Sequence, residues 1–81
     1  MSYFVYILKS EIKERFYIGY TANIEQRLLK HNAGGTASTR PYIPWKLAYK
    51  EECKTKTEAI KRENEIKSFK SIKKIKELIE R

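Results

Sequence analysis

The stretch YFVYILKSEIKERFYIGYT, residues 3–21, contains two apolar runs that are joined by a short polar segment. In the first run, residues 3–8, both faces of a strand would be apolar or aromatic, which is typical of a central strand that is covered on both sides. The second run, RFYIGY, is rich in aromatic and β-branched residues and favours a second strand. Because only the polar and charged segment 9–15 connects them, the stretch predicts a β-hairpin.

These two strands hold four of the six tyrosines in the chain. Tyr6 and Tyr17 each lie inside an apolar run, and the simplest interpretation is that both are amphipathic core residues. Gly19 follows two positions after Tyr17, and a glycine near the end of a strand indicates a close approach of another group or a sharp exit of the chain. The residues alone leave open whether the two phenols do more than pack.

The sequence after the hairpin predicts a helix, a loop and a third strand. NIEQRLLKHNAGG, residues 23–35, favours a helix with Asn23 as its N-cap and two glycines at its end. Its core stripe comprises Ile24, Leu28 and Leu29. TASTRPYIPW, residues 36–45, predicts a loop because it contains two prolines and several small polar residues, and KLAYKEEC, residues 46–53, predicts a strand.

Two helices follow the third strand. Thr55 and Glu58 form a capping box that opens a helix from about 56 to 70. A last amphipathic helix begins at Ser71, and its apolar face comprises Ile72, Ile75, Leu78 and Ile79. The sequence therefore predicts one domain over residues 1–81, of the α/β (α+β) class, with the order ββαβαα and a small three-stranded antiparallel-type sheet flanked by helices.

Length and charge limit the class of function. A chain of 81 residues has too small a core to enclose a sizeable cavity, so a site should be a surface cleft. Eighteen Lys and Arg residues oppose ten Glu residues, and the net charge of +8 favours a polyanionic partner. Five of the lysines lie in residues 66–76, which contain no acid, but such a Lys-rich tail is equally compatible with a solvated helix face.

The single cysteine, Cys53, excludes an intrachain disulfide and a Cys-rich zinc site, and it suits a reducing compartment. The opening apolar run is too short for a membrane span and lacks the cleavage pattern of a signal peptide. The sequence therefore predicts a cytoplasmic protein without a membrane partner.

Glu63 breaks the apolar pattern of the second helix. At about 100° per residue, Glu63 falls near the middle of an apolar face, whereas Glu58 and Glu65 fall outside it. That face comprises Ala59, Ile60, Ile66 and Phe69. An ionised carboxylate is costly to bury unless a positive group meets it. Two interpretations stay open: an ion pair or a core edge that reaches water, and a cleft position that binds a divalent cation.

Arg27 and His31 lie four residues apart on one face of the first helix. Taken alone, Arg27 is an ordinary surface residue and His31 a satisfied, partly buried histidine. A cleft that combined them with one carboxylate and two phenols would suit phosphodiester hydrolysis, because Arg stabilises charge on phosphorus and a metal activates phosphate or water. A phenol, whose unperturbed pKa is about 10, would need a nearby cation or His to lower its pKa before it acted as a general base.

At these residues the sequence resembles the GIY-YIG endonuclease family. FVY at 4–6 stands at the position of the first triplet, and YIG at 17–19 is the second triplet. TANIEQRLLKH resembles the following helix, with its Arg and, four residues later, its His. EAIKRENEIK resembles the helix with the lone metal-binding Glu, here Glu63. The resemblance covers nearly the whole chain and is greatest to the short, single-domain bacterial branch.

The resemblance implies a metal-dependent endonuclease domain that hydrolyses phosphodiester bonds of nucleic acid, with DNA the expected substrate and DNA repair or recombination the expected setting. Glu63 would bind one Mg²⁺ or Mn²⁺, and Arg27 would hold the phosphate. One of the two phenols would be the general base or hold the attacking water. Tyr6, Tyr17 and His31 would position or deprotonate the nucleophile. The basic last helices and the loop before the third strand would track the nucleic-acid backbone, through Arg40, Trp45, Lys67, Lys70, Lys73 and Lys74.

Two positions depart from the family pattern. Phe4 replaces the Gly of the first triplet, which contributes no functional group. Tyr20 follows YIG where some branches have Lys, so one cation near the scissile phosphate is missing and its role would pass to His31. A rival hypothesis needs only the net charge of +8: a nucleic-acid-binding module that keeps the fold with weak or no catalysis.

Overall fold

Residues 2–80 of the computed structural model, which are the residues that the structure describes, form three strands and three α-helices. The strands are β1 (Tyr3–Ser10), β2 (Phe16–Thr21) and β3 (Trp45–Cys53), and the helices are α1 (Ile24–Asn32), α2 (Lys56–Lys67) and α3 (Ile72–Ile79). A short 3-10 turn, Arg40–Tyr42, lies between α1 and β3. The predicted order ββαβαα and the antiparallel sheet are confirmed.

β1 lies between β2 and β3 and pairs antiparallel with both. Its side chains alternate between two cores. Val5 and Ile7 pack on the side of α2 and α3, in a cluster with Ile18, Ala59, Ile66 and Leu78. Tyr6 and Leu8 point to the opposite side, in a cluster with Trp45, Ile24 and Leu28. The unbroken apolar run of residues 3–8 thus reflects a central strand that is buried on both faces, as predicted.

The register of the hairpin decides where its tyrosines point. Tyr6 on β1 lies opposite Gly19 on β2. Tyr17 precedes Gly19 by two positions, and residues two apart along a strand share a face of the sheet. Both phenols therefore lie on the face that α1 covers.

The helix ends agree with the local sequence patterns. The Asn23 side chain accepts the backbone N–H of Gln26 at 3.1 Å, and the Thr55 hydroxyl accepts that of Glu58 at 3.1 Å. After α1 the chain turns through Gly34, whose φ of 81° lies in the left-handed region that favours glycine. Within residues 2–80, no helix combines the length and the apolar character that a membrane crossing requires.

Some helix predictions are wrong in detail. Leu29 is predicted on a core stripe and Ile60 and Ile72 on apolar helix faces, but their side chains are exposed, that of Leu29 to 70%. Leu29 and Ile60 each directly follow a residue that packs inward, and one step along a helix turns by about 100°. Ile72 is the first residue of α3, before the helix reaches the core. α2 ends at Lys67 rather than at residue 70, because the chain reverses through Lys70 with a φ of 53°.

Candidate active site

A surface cleft of about 550 Å³ lies along the edge strand β2. Tyrosines from both faces of the sheet line this cleft, so it extends around the strand edge. Four of the five residues that the sequence nominated for catalysis line it, namely Tyr6, Tyr17, Arg27 and Glu63. The other lining residues are Tyr3, Gly19, Tyr20, Thr21, Ala22, Lys56 and Lys67.

Tyr6 and Tyr17 have their ring centroids 6.3 Å apart. Tyr6 is almost fully buried, whereas Tyr17 is half-buried. The Tyr6 side chain extends over Gly19, where an added Cβ would lie 2.7 Å from the hydroxyl oxygen and 2.9 Å from Cζ. Because Gly19 has no side chain, the Tyr6 hydroxyl can occupy the space beside its α-carbon. This is the close approach of another group that a glycine near the end of a strand indicates.

His31 lies behind the two tyrosines and is only 1% exposed. Its Nε2 is 3.5 Å from the Tyr6 hydroxyl, at the long end of the hydrogen-bond range. Its ring centroid is 4.6 Å from that of Tyr17. Nδ1, on the other side of the ring, is 3.0 Å from the Oγ1 of Thr39. The histidine thus contacts both phenols without lining the cleft itself.

The electrostatics of the site oppose ionisation of Tyr6. Burial raises the pKa of the Tyr6 phenol well above its usual value, and the neighbouring Tyr17 adds to the rise, while Arg27 counteracts only part of it. The protein groups around Tyr6 therefore raise the pKa of its phenol instead of lowering it. Burial also lowers the pKa of His31, with help from the cations of Arg27 and Lys30, so the imidazole is neutral at pH 7.

Glu63 reaches the cleft from α2, and its side chain is only 13% exposed. Its Oε1 lies 2.9 Å from the Nζ of Lys67, one turn further along the helix. Glu63 thus forms an ion pair, as the first interpretation predicts. It also lines a cleft, which is the position that the second interpretation requires. The neighbouring Glu65 pairs instead with Arg62, at 3.3 Å, and does not line the cleft.

The donor set around Glu63 suits a divalent cation that keeps most of its waters. Mg²⁺ commonly binds through one or two carboxylates, with waters and substrate phosphate as its other ligands. Residues 2–80 contain no group of three or more His, Cys, Asp or Glu side chains arranged to hold a metal by themselves. Glu63, whose side chain is mostly buried but lines the open cleft, is the residue among 2–80 that could hold such an ion.

Positive side chains surround the cleft. Arg27, Lys56 and Lys67 line it. Arg27 also borders an adjoining polar groove together with Lys30, beside the first turn of α1. A phosphate backbone that crossed the cleft would therefore meet cations from both α1 and α2.

The structure rejects Trp45 as a nucleic-acid contact. Trp45 is only 4% exposed and begins β3, with its ring packed beside Tyr6 and Leu8. Its indole N–H donates to the backbone carbonyl of Thr39 at 2.9 Å. The sequence predicts a loop over residues 36–45 that tracks the nucleic-acid backbone, but the Trp45 ring at the end of this segment is buried.

The other residues that were predicted to contact the nucleic-acid backbone differ in whether they line the cleft. Lys67 lines it, whereas Lys70, Lys73 and Lys74 are exposed residues that do not. Arg40 is also exposed, and its Nε donates to the carbonyl of Gly34 at 3.1 Å. These four residues present charge at the surface, beyond the cleft.

A family profile described as the GIY-YIG catalytic domain matches residues 2–76, almost the whole of the chain. The chain belongs to the GIY-YIG family. Membership implies nuclease-type activity with nucleic acid as the substrate class, and GIY-YIG endonucleases generally depend on divalent metals.

Relatives align with this GIY-YIG domain over nearly its full length. A UPF0213 protein of Staphylococcus saprophyticus is 44% identical over 75 residues, which cover 91% of this chain and 90% of the relative. A UPF0213 protein of Staphylococcus haemolyticus is 42% identical over 80 residues, covering 98% and 96%. The solution NMR structure of a UPF0213 protein from Bacillus halodurans is 33% identical and has a TM-score of 0.60, covering 99% of this chain and 84% of that one.

Three further residues lie in or beside this cluster of side chains and were not predicted from the sequence, namely Lys30, Lys56 and Thr39. Lys30 follows Arg27 by three positions, so the helical period alone could have placed it on the same face. Lys56 follows the cap of α2, and only the position of α2 beside β2 brings it to the cleft. Thr39 lies in the aperiodic segment before β3, and no sequence pattern marks it.

Proposed function

We propose that this GIY-YIG domain is a divalent-metal-dependent endonuclease that hydrolyses phosphodiester bonds, with DNA as its substrate. The observation that supports the proposal is that β1, β2, α1 and α2 bring two phenols, an arginine and a carboxylate to one open cleft, with His31 directly behind the phenols. The cations around that cleft suit a phosphate backbone. A setting in DNA repair or recombination stays a prediction.

Arg27 and Tyr17 serve to bind and orient. The Arg27 guanidinium would donate to the non-bridging phosphate oxygens and offset the charge that develops on phosphorus. Tyr17 contacts the His31 ring on one side and lines the cleft on the other, so it would hold the imidazole in place and present its hydroxyl to the attacking water.

Tyr6 and His31 would move the proton together. In the resting state the proton stays on the Tyr6 oxygen, because burial disfavours the phenolate. As water attacks phosphorus, the Tyr6 oxygen would accept a proton from the water and donate its own to Nε2 of the neutral His31. This relay requires no free phenolate, so the raised pKa of Tyr6 is compatible with a role as base.

Glu63 would hold the metal through one carboxylate, and the bound ion would supply charge stabilisation at a phosphate oxygen. Lys67 forms an ion pair with the same carboxylate, and this ion pair would have to break before the metal binds. Once released, the Lys67 ammonium remains at the cleft, where it can bind phosphate instead.

The Glu63–Lys67 pair also supports a second candidate function. Because the carboxylate already has a counterion at 2.9 Å, its charge is balanced without a metal. A domain in this state would bind nucleic acid through its cations and cleave it weakly or not at all.

Plasmid nicking tests the proposal. Supercoiled DNA is incubated with the protein and Mg²⁺ or Mn²⁺, and Glu63→Gln is compared with Glu65→Gln, a matched change on the same helix outside the cleft. We expect Glu63→Gln to lower nicking about a hundredfold or more while retaining DNA binding, and Glu65→Gln to have little effect. DNA binding without nicking by the wild type would favour the second candidate, and equal nicking by both variants would contradict the first.

A further inference from the structure

Thr39 is a buried polar residue in the segment between α1 and β3, and its side chain meets the catalytic histidine. Its Oγ1 lies 3.0 Å from the Nδ1 of His31, on the side of the ring away from Tyr6. Thr39 is only 1% exposed, so water does not compete for this contact. The proposed relay uses Nε2 alone and leaves the partner of Nδ1 without a role.

The surrounding segment holds Thr39 in a fixed position. The Trp45 indole N–H donates to the Thr39 carbonyl at 2.9 Å. The Asn32 side chain, at the end of α1, accepts the Trp45 backbone N–H at 2.6 Å and donates to the Trp45 carbonyl at 3.0 Å. α1 therefore carries His31. Through the hydrogen bonds of Asn32 and Trp45, it also holds Thr39, which contacts His31, in position.

The backbone carbonyl of Thr36 offers the Thr39 hydroxyl proton an acceptor away from His31. The hydroxyl donates to the backbone carbonyl of Thr36 at 3.2 Å. A carbonyl oxygen can only accept, so when the hydroxyl proton is directed there, Oγ1 is left to accept a bond from Nδ1–H at 3.0 Å. A neutral imidazole carries one proton, and with that proton on Nδ1 the Nε2 lone pair faces the Tyr6 hydroxyl.

We propose that Thr39 is a positioning residue that keeps His31 in its Nδ1-protonated form, so that Nε2 is free to accept the proton of Tyr6. With the opposite tautomer, Nε2–H would donate to the Tyr6 oxygen, and Tyr6 could not pass its proton on. The use of this tautomer in catalysis rests on the proposed function, whereas the tautomer itself is a property of the resting protein.

Nuclear magnetic resonance measures this tautomer directly, because His31 is the single histidine of the chain and a tag-free protein gives one pair of imidazole nitrogen signals. The ¹⁵N shifts distinguish protonated from unprotonated ring nitrogens. We expect Nδ1–H in the wild type at pH 7 and in Thr39→Ser, and a shift of population towards Nε2–H in Thr39→Val. Thr36→Val is the matched control, since Thr36 contributes only its backbone carbonyl.

Cleavage provides the second readout. Thr39→Val should lower nicking about tenfold or more, with Thr39→Ser restoring most of it and Thr36→Val unchanged. An Nε2-protonated ring in the wild type, or full nicking by folded Thr39→Val, would overturn the proposal, and the wild-type spectrum decides even if Thr39→Val does not fold. Absence of nicking in every variant would contradict the nuclease proposal and would leave the tautomer assignment to the spectra alone.

Discussion

The Tyr6 hydroxyl and the α-carbon of Gly19 face each other across β1 and β2, in a register that leaves no space for a side chain at position 19. A Cβ there would come within 2.7 Å of the hydroxyl oxygen. The Tyr6 ring has little freedom to retreat, because it is almost fully buried. The glycine of YIG thus allows the Tyr6 hydroxyl to lie where His31 can accept its proton.

Gly19→Ala should therefore damage the site and the core together. The added methyl group would displace the Tyr6 ring, and overpacking of this kind typically lowers the free energy of unfolding by about 1–3 kcal/mol. We expect nicking to fall as well, since the hydroxyl moves away from His31. Urea unfolding of the double variant Tyr6→Phe with Gly19→Ala provides the check: the second change should cost less once the hydroxyl is gone. Strictly additive losses would show that the added methyl group is opposed by the ring, whose Cζ would lie 2.9 Å away, and not by the hydroxyl.

Tyr→Phe substitutions at the two phenols should distinguish a packing role from a chemical role. Tyr6→Phe keeps the ring and removes the oxygen, so the melting temperature and DNA binding should stay close to wild type while nicking falls about a hundredfold or more. Nicking by Tyr17→Phe should fall less, because Tyr17 orients His31 and the attacking water and does not transfer the proton. Tyr42→Phe, which lies outside the cleft, is the control. Full nicking by a Tyr6→Phe, Tyr17→Phe double variant would refute the relay and leave the metal site standing.

Glu63 could be found from the sequence, whereas Thr39 and Trp45 could not, and the reason is periodicity. A carboxylate within an apolar helical face is an exception that the helical period reveals. The segment before β3 has no period, and the burial of Trp45 depends on two hydrogen bonds to Asn32, 13 residues away along the chain. Contacts of that kind arise from the tertiary fold alone.

The pKa direction at Tyr6 shows a second limit of sequence reasoning. The residue types in the cleft suggested cations that would lower the pKa of a phenol. The structure buries Tyr6 beside Tyr17, and the loss of solvation outweighs the effect of Arg27. Which effect dominates depends on depth of burial, and no local pattern encodes depth to that accuracy.

His31 should make the stability of the protein pH-dependent near neutrality. Its pKa is lowered in the folded state, so the unfolded chain, with an ordinary value near 6.5, binds the proton more readily. The His31 contribution to stability is therefore complete above about pH 6.5 and is lost as the pH falls towards the depressed value.

Urea unfolding across this range, at constant ionic strength, should show a steeper loss of stability for wild type than for His31→Gln. Nicking should fall over the same window, because a protonated imidazole cannot accept the proton of Tyr6. Parallel stability curves for the two proteins would show that His31 is not held neutral by the fold.

Lys67 should compete with a metal for Glu63. Its ammonium lies 2.9 Å from the carboxylate, and a divalent cation must displace it against charge repulsion. If the pair contributes about 1 kcal/mol, Lys67→Met should tighten Mn²⁺ binding about fivefold in calorimetric titration. Lys61→Met, an exposed change on the same helix, should leave the affinity unchanged. Weaker Mn²⁺ binding by Lys67→Met would contradict the competition.

The lysines beyond the cleft should affect binding but not the chemical step. If Lys70, Lys73 and Lys74 contact phosphates of duplex DNA, each contributes about −0.9 to the slope of log K against log salt concentration. The triple change to Gln should therefore flatten the slope by up to about 2.7.

Because none of the three lines the cleft, single-turnover nicking at saturating DNA should stay at the wild-type rate. Lys56→Gln, which alters a lysine within the cleft, should reduce both the slope and the rate. Filter binding over a series of salt concentrations, paired with nicking on the same preparations, separates the two effects. An unchanged slope in the triple variant would mean that these lysines form only a solvated surface, with the phosphate contacts confined to the cleft.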